Sequence, residues 1–255
     1  MPIAGAVAVD AYRRYFDAAH GSHVRLFRGV FSDFAAARQA IRPDRSESYD
    51  NEPSAHRMID EWLNIDQSDY PVMFWLAKVM PGCGLLFDWG GNVGLKYFAY
   101  QKYLAYPAQL IWLVADVPAV VALGQQIAER EAAAALRFTT TLEQLPAADV
   151  LLAAGSLQFI EDGLAALARA GSLPKHLILS KVPAYALPSA VTLHNMGTAL
   201  CPYHLFNRTT LVAAIEQLGF ALVDAWQSPN VGCEIPFYPQ HSISAYSGFY
   251  FAQPE

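Results

Sequence analysis

Four short apolar runs, separated by helical patterns, place the strongest limit on how this chain can fold. They occupy residues 85–88, 110–115, 150–154 and 176–180. The runs lack the polar alternation of a half-exposed strand, which is typical of strands buried on both faces in a parallel sheet. Helical patterns lie between them, over residues 95–104, 118–134 and 162–170. This alternation predicts an α/β fold with a doubly wound, mostly parallel sheet and right-handed βαβ crossovers.

The C-terminal part of the chain has a different pattern. The segment "RTTLVAAIEQLGFALVDAW", residues 208–226, predicts a helix that is ended by Gly219 and followed by a strand. The segment "SISAYSGFYFA", residues 242–252, has the composition of a further strand. We predict that these two strands pair as a hairpin and complete a seven-stranded sheet.

Residues before position 82 carry helical patterns. "SDFAAARQAI" begins with Ser32 at the position expected for an N-cap. "SAHRMIDEWLNI" places four apolar side chains on one helix face, those of Met58, Ile59, Trp62 and Ile65. The intervening "RPDRSESYDNEP" is polar and predicts a loop. We therefore predict an N-terminal helical segment over residues 1–81 and a sheet domain over residues 82–255.

Composition and charge argue against several classes of function. The formal net charge of −6 disfavours a nucleic-acid partner, which requires a basic surface for phosphate contacts. The longest apolar segment contains Asp116 and Pro118 and so does not predict a membrane span. The three cysteines lack CxxC spacing and predict neither a disulfide framework nor a metal site. The N-terminus is a poor secretion signal, so we expect a cytoplasmic protein.

The stretch "GCGLLFDWGGNVG", residues 82–94, carries the clearest functional pattern. An apolar run ends at Asp88 and is followed by three glycines, which allow the main chain to come close to another group. The dinucleotide fingerprint requires glycines at the first, third and sixth positions, but Asn92 and Leu95 stand at the third and sixth. No Gly-Lys-Ser/Thr follows, so a phosphate-binding P-loop is also disfavoured.

These residues resemble the first motif of class I S-adenosylmethionine (SAM) methyltransferases, an acidic residue followed by a D-x-G-x-G-x-G turn. Asp88, Gly90 and Gly94 match this motif, whereas Asn92 replaces its middle glycine. In that family an acidic residue at the end of the second strand holds the ribose hydroxyls of SAM, and "LIWLVAD" ends in Asp116. The alternative is that Asp116 only caps the helix after it.

The likeness extends over most of the chain. "FRGVFSDFAAARQA", "YDN", "YPVMFWLAKV", "CPYHLFNRTTL" and "YSGFYF" are similar to a poorly characterised bacterial subfamily of methyltransferases. The resemblance implies a Rossmann-like SAM-binding catalytic domain over residues 82–255 and a lid formed by residues 1–81. It implies these cofactor-binding residues: Asp88, Gly90, Gly91, Gly94, Asp116, Ser156, Leu157, Gln158 and Tyr49. Together with Asp50, Tyr49 is expected to fold over the cofactor.

The segment "VPAYALPSAVTLHNMGTALCPYHLFNR", residues 182–208, predicts a long loop. In class I methyltransferases the corresponding region lines the substrate pocket. It therefore provides four candidates for substrate contact or catalysis, His194, Asn195, Tyr203 and His204. Each residue taken alone is more often structural than catalytic.

The resemblance implies a biosynthetic transferase. It would methylate a small-molecule acceptor by in-line displacement at the methyl carbon bound to the sulfonium of SAM. One alternative keeps the cofactor and changes the reaction: an azetidine-2-carboxylate synthase cyclises SAM itself and releases methylthioadenosine. A second alternative is a non-catalytic SAM-binding protein. The sequence leaves open whether the chain acts as a monomer or a homodimer.

Overall fold

The structure, a computed structural model, describes residues 2–21, 23–42, 48–57, 64–141 and 145–254. Its helices are α1 (Pro2–Ala18), α2 (Phe34–Gln39), α3 (Glu52–His56), α4 (Asp69–Val79), α5 (Leu95–Tyr100), α6 (Pro118–Arg130), α7 (Gly163–Ala168) and α8 (Arg208–Glu216). Its strands are β1 (Leu26–Phe31), β2 (Leu85–Trp89), β3 (Ile111–Ala115), β4 (Leu136–Thr139), β5 (Val150–Ala154), β6 (His176–Val182), β7 (Ala184–Tyr185), β8 (Ala190–Asn195), β9 (Leu200–Asn207), β10 (Ala221–Ser228) and β11 (Tyr246–Ala252).

A seven-stranded sheet forms the centre of the fold, in the order β10-β11-β6-β5-β2-β3-β4. Strands β6, β5, β2, β3 and β4 are parallel to one another. Beyond β6 the sheet continues with β11, antiparallel to β6, and with β10, antiparallel to β11. The predicted doubly wound, mostly parallel α/β sheet and its C-terminal hairpin are therefore confirmed. The predicted helices α5, α6 and α7 are present but shorter than their sequence patterns.

The central strands read as continuous apolar runs because both faces of the sheet are covered. Leu86 belongs to the apolar cluster on one face, whereas its neighbour Phe87 belongs to the cluster on the other. Leu152 and Leu151 of β5 divide between the two clusters in the same way. Successive side chains of a strand point to opposite faces, so a strand covered on both sides must be apolar throughout.

A second sheet of four strands, in the order β1-β8-β9-β7, corrects two expectations. Residues 182–208 form strands β7, β8 and β9 instead of a long loop, and the N-terminal segment contributes β1, which pairs with β8. The loop prediction was wrong because polar residues of this segment lie in buried strand positions. Thr192 and Asn195 are fully buried within β8, where bonds inside the fold satisfy polar groups that would otherwise require solvent.

The N-cap of α2 differs from the predicted one, and the second predicted helix cannot be compared with the structure. The N-cap of α2 is Asp33, whose carboxylate accepts the Ala36 N–H at 2.7 Å, while Ser32 donates to Asp33. Met58, Ile59 and Trp62 of the predicted second helix lie outside the described residues. Among the residues described, no helix has the length and apolar character needed to cross a membrane.

Asn195 joins the four-stranded sheet to the end of α1. Its Nδ2 donates to the Phe16 carbonyl at 2.6 Å and the Ala19 carbonyl at 3.2 Å, and its Oδ1 accepts the Gly197 N–H at 2.7 Å. The side chain is completely buried, and both of its N–H groups are used. These contacts give Asn195 a structural position, and we do not retain it as an acceptor contact.

We expect Asn195→Leu to lower the free energy of unfolding by about 2–4 kcal/mol, because it leaves buried backbone groups without their partner. Urea denaturation followed by circular dichroism measures this change. The control Asn230→Leu alters an exposed asparagine and should shift the stability by no more than about 0.5 kcal/mol. Equal stability of Asn195→Leu and the wild type would contradict the structural role.

Candidate functional site

The candidate site lies at the carboxyl ends of β2, β3 and β5. Strand β2 has β3 on one side and β5 on the other, so the strand order reverses between β2 and β5. In open α/β sheets, ligands bind in the crevice at such a point. Asp88 lies in β2, and Asp116 directly follows β3, so the topology places both carboxylates at one edge of the sheet.

The glycines of the turn after β2 allow close packing inside the protein. Gly90 has a φ of 73°, and a Cβ there would collide with Ser156. A Cβ at Gly91 would collide with the carboxylate of Asp88, and one at Gly94 would lie 2.7 Å from Leu136 Cδ2. Asn92, which replaces the middle glycine of the motif, also has a left-handed φ of 55°. Asparagine tolerates this conformation better than most residues, which explains the departure from the motif.

Asp116 is held by the main chain on both sides of the crevice. Its Oδ2 accepts the Asn92 N–H at 2.9 Å, and its Oδ1 accepts the Val117 N–H at 2.8 Å. Burial raises the pKa of this carboxyl to about 6, against the lowering effect of these two hydrogen bonds. Each carboxylate oxygen has a second lone pair, so Asp116 can still accept hydrogen bonds from a diol.

Tyr49 and Asp50 dock beside Asp116. The Tyr49 hydroxyl accepts from Asn92 Nδ2 at 3.0 Å, and burial, followed by the charge of Asp116, raises the pKa of this phenol to about 12. Asp50 Oδ1 accepts the Ala119 N–H at 2.7 Å in the first turn of α6. Asp50 therefore accepts a first-turn N–H of α6, whereas at this helix Asp116 bonds to the N–H of the N-cap residue Val117. Two residues of the N-terminal segment thus contact the glycine turn and the start of α6.

Asp88 lies beneath the glycine turn, with an exposed fraction of 1%. Its Oδ2 accepts Trp112 Nε1–H at 2.9 Å, and its Oδ1 has no protein partner among the described residues. Burial raises the pKa of this carboxyl to about 7, and the neighbouring Asp116 contributes to the increase. The carboxylate therefore supports the turn from below, and Gly91 separates it from the crevice.

The turn after β5 forms the opposite wall of the crevice. The Ser156 hydroxyl donates to the Trp89 carbonyl, which joins this turn to the glycine turn. Leu157 packs into the core. Gln158 is buried; its Nε2 donates to the Gly155 carbonyl at 2.7 Å, whereas its Oε1 has no protein partner in the described part of the chain.

The register of the small sheet places two of the four acceptor-site candidates on one face of the sheet and two on the other. His194 pairs with Cys201, and Thr192 pairs with Tyr203, so His194 and Tyr203 share one face. Asn195 and His204 lie on the opposite face. His204 Nε2–H donates to the Glu161 carbonyl at 3.0 Å, and its ring packs on Phe34 with 4.4 Å between centroids. We retain His194 and Tyr203 as candidates and do not retain His204.

The sequence did not indicate a charged cluster near the site. Lys96 Nζ lies 2.6 Å from Asp69, which also accepts the Tyr100 hydroxyl at 2.8 Å. Lys181 Nζ pairs with Asp66 Oδ2 at 2.6 Å. Burial, followed by the charge of Lys181, lowers the pKa of Lys96. Only the tertiary fold brings these residues together, since they come from separate elements without a shared motif.

The described ranges contain no group of three or more His, Cys, Asp or Glu side chains arranged to hold a metal ion. The cysteines Cys83, Cys201 and Cys233 are buried and free.

Sequence comparison provides no relatives for this chain, since no family model and no curated protein matches it. Solved structures do match its fold. The chain is 19% identical to 1,6-didemethyltoxoflavin-N1-methyltransferase of Burkholderia thailandensis, solved with 1,6-didemethyltoxoflavin and S-adenosylhomocysteine (SAH), with a TM-score of 0.50. The match covers 79% of this chain and 84% of that one.

Two further solved structures match this chain, over different shares of their own length. The CcbJ methyltransferase of Streptomyces caelestis is 13% identical, with a TM-score of 0.53 over 83% of this chain and 100% of that one. Human N-acetylserotonin methyltransferase, in complex with SAM, is 16% identical, with a TM-score of 0.50 over 81% of this chain and 58% of that one. At such identities the likeness establishes the fold: the chain has the Rossmann-like fold of class I SAM-dependent methyltransferases.

Proposed function

We propose that this chain is a SAM-dependent methyltransferase that acts on a small-molecule acceptor. The observation that carries the proposal is the position of Asp116. Its buried carboxylate lies at the carboxyl end of β3, directly beside the glycine turn, where the fold binds ligands. Two solved neighbours are described as bound to SAH or SAM, and one of them also holds 1,6-didemethyltoxoflavin.

The residues present fit SAM without a basic cradle, because SAM carries no phosphate. Asp116 would accept both ribose hydroxyls through its remaining lone pairs, in charge-assisted hydrogen bonds. Gln158 Oε1 and Ser180 Oγ are buried at the same sheet edge and lack protein partners among the described residues. Such polar atoms require a partner, and the amine and carboxylate of the methionine portion of SAM provide a donor and acceptors.

The part of Asp88 differs from the direct contact that the motif implies. Gly91 lies over its carboxylate, so we assign Asp88 to supporting the glycine turn from below. Gly90, Gly91 and Gly94 would then shape the crevice by allowing this close packing, and Ser156 and Leu157 would hold its opposite wall.

SAM supplies a methyl group that is already activated by the sulfonium, so the protein mainly has to align the acceptor and exclude water. Tyr49 and Asp50 would hold the lid closed through the hydrogen bonds to Asn92 and Ala119. His194 would orient the acceptor through hydrogen bonds to its ring nitrogens. Burial lowers the pKa of His194 far below its usual range, so its ring is neutral near pH 7.

We expect Asp116→Ala to weaken SAM binding roughly 100-fold, because it removes two charge-assisted hydrogen bonds. Isothermal titration calorimetry measures this change. The matched control is Asp162→Ala, which alters an exposed aspartate at the start of α7 and should bind SAM as the wild type does. Unchanged affinity in Asp116→Ala would contradict the proposed ribose contact.

We expect SAM affinity to fall as the pH decreases through about 6. Asp116 has a pKa raised to about 6 before SAM binds, and the ribose diol prefers the ionised carboxylate. At pH 5 only about a tenth of the protein would carry this charge, which gives roughly tenfold weaker binding. Calorimetry between pH 5 and pH 8 tests this expectation.

The variant Asp116→Asn is the control for this pH dependence, because its side chain has no charge to lose. We expect its SAM affinity to be lower and nearly independent of pH between 5 and 6.5. A dependence centred near pH 7 that remains in this variant would belong to Asp88, whose pKa is raised to about 7. An unchanged profile centred near pH 6 would refute the assignment to Asp116.

Product analysis separates methyl transfer from attack on another carbon of SAM. We expect SAH to form when the protein is incubated with SAM and a panel of phenols, carboxylic acids and amines, and little product to form with SAM alone. Mass spectrometry of the adenosine products measures both. Methylthioadenosine from SAM alone would contradict methyl transfer and indicate ring closure, and tight SAM binding without any product would indicate a non-catalytic protein.

A further inference from the structure

The inner face of the small sheet, opposite the face that packs on α1 and α2, carries an aromatic cluster next to the candidate site. Phe27 of β1 pairs with His194 of β8, and Tyr203 of β9 lies on the same face. Phe159, in the turn after β5, lies with its ring centroid 5.0 Å from that of Tyr203. We refer to Phe27, Phe159, His194 and Tyr203 as the aromatic box. It adjoins the crevice because its member Phe159 follows Gln158 directly.

The ring of His194 occupies the centre of the aromatic box. It stacks on Phe27 with 4.5 Å between centroids and an interplanar angle of 8°, and Phe159 lies at 5.9 Å and 28°. Tyr203 packs edge-on at 5.3 Å. The exposed fraction of His194 is 6%, and neither ring nitrogen has a protein partner among the described residues. A buried donor and acceptor without partners cost free energy, and native structures rarely retain both without a reason.

Stacking alone does not explain a histidine at this position. A phenylalanine would keep the contacts with Phe27 and Phe159 and would bury no polar atom. The ring nitrogens must therefore be retained for something that they bind. A neutral imidazole offers one N–H donor and one bare nitrogen, so its natural partner is a hydroxyl or a ring N–H group next to an acceptor.

The charges around the aromatic box further restrict its ligand. Arg25 and Arg57 are the charged groups whose fields act on His194, and both disfavour a second positive charge there. The Tyr203 hydroxyl donates to that of Tyr246 at 2.8 Å, and burial keeps the pKa of Tyr203 well above its usual range. The walls of the box are therefore aromatic and uncharged, with a positive field imposed from outside.

A surface cavity of about 260 Å³ lies next to the box. Its lining includes Arg25, Phe27 and Glu234. Phe27 also stacks on His194, so this residue contacts both the cavity and the histidine.

We propose that the aromatic box is the acceptor site of the methyltransferase proposed above, and that it takes a small aryl or heteroaryl compound with a hydroxyl or ring N–H, neutral or anionic. The inference rests on that proposed function. The ring of the acceptor packs against the aromatic walls, and its O–H or N–H donates to the bare nitrogen of His194. In methyl transfer the bound acceptor releases this proton to solvent, which the positive field of Arg25 and Arg57 favours. The acceptor atom then forms the new bond to the methyl carbon while the carbon–sulfur bond breaks.

The first test measures the preference for phenol over toluene, two rings of similar size that differ in the hydroxyl. Protein labelled with [15N]histidine and saturated with SAH is titrated with each compound, and affinities are taken from the NMR shifts. We expect the wild type to prefer phenol roughly five- to tenfold, with shifts at the His194 ring nitrogens. In His194→Phe the preference should vanish to within about twofold.

The matched control is His204→Phe, the same substitution on the opposite face of the same sheet. It should retain the preference for phenol. Three results would each overturn the proposal. The first is loss of the preference in His204→Phe but not in His194→Phe, and the second is an equal preference in the wild type and in His194→Phe. The third is that neither probe binds to SAH-loaded protein. Calorimetry with SAH alone distinguishes the failures. Absence of SAH binding refutes the proposed function, and the same phenol and toluene titration of protein without SAH then tests the box by itself.

Thermal unfolding provides a readout that a merely structural histidine would not give. Because His194→Phe removes buried polar atoms without partners, we expect its Tm to rise by roughly 2–4 °C in the absence of ligands. A lower Tm would mean that the ring nitrogens have partners inside the protein, and it would overturn the proposal. His194→Gln keeps a donor and an acceptor at this position and should restore part of the preference for phenol.

The preference for neutral or anionic acceptors is tested by comparing a cationic and a neutral phenol. We expect 4-hydroxybenzylamine, a cation at neutral pH, to bind severalfold more weakly than 4-hydroxybenzyl alcohol, because Arg25 and Arg57 oppose its charge. Equal or stronger binding of the amine would exclude a site that selects neutral and anionic acceptors.

Discussion

The candidate site depends on one buried carboxylate and on how the main chain holds it. Asp116 accepts an N–H from the glycine turn and another from the start of the following helix, so it fixes the distance between two loops of the large sheet. Desolvation opposes its ionisation, and the two hydrogen bonds favour it. The turn, the carboxylate and Tyr49 therefore form one connected unit through Asn92.

The two sheets contribute different parts of the same region. The large sheet provides Asp88, Asp116 and the turn after β5 at the carboxyl ends of its parallel strands. The small sheet provides a wall whose inner face carries His194 and Tyr203 and whose outer face packs on α1 and α2. The N-terminal segment shares in this wall through β1, and it also places Tyr49 beside the glycine turn.

Buried polar groups divide into two kinds in this protein. Asn195 bonds to two backbone carbonyls of the N-terminal segment, and its position holds elements together. The ring of His194 and one oxygen each of Asp88 and Gln158 have no protein partner in the described part of the chain. Because an unpartnered buried polar group costs stability, groups of the second kind point to function more strongly than their residue type does.

The sequence by itself determined the parallel sheet, since strands buried on both faces must be apolar throughout, and it placed Asp88 and Asp116 at their ends. It did not determine the small sheet, because buried Thr192 and Asn195 resemble loop residues until their partners are known. Nor did it separate His194 from Asn195 or Tyr203 from His204. Neighbours in a strand point to opposite faces, and only the tertiary structure decided which face meets the crevice.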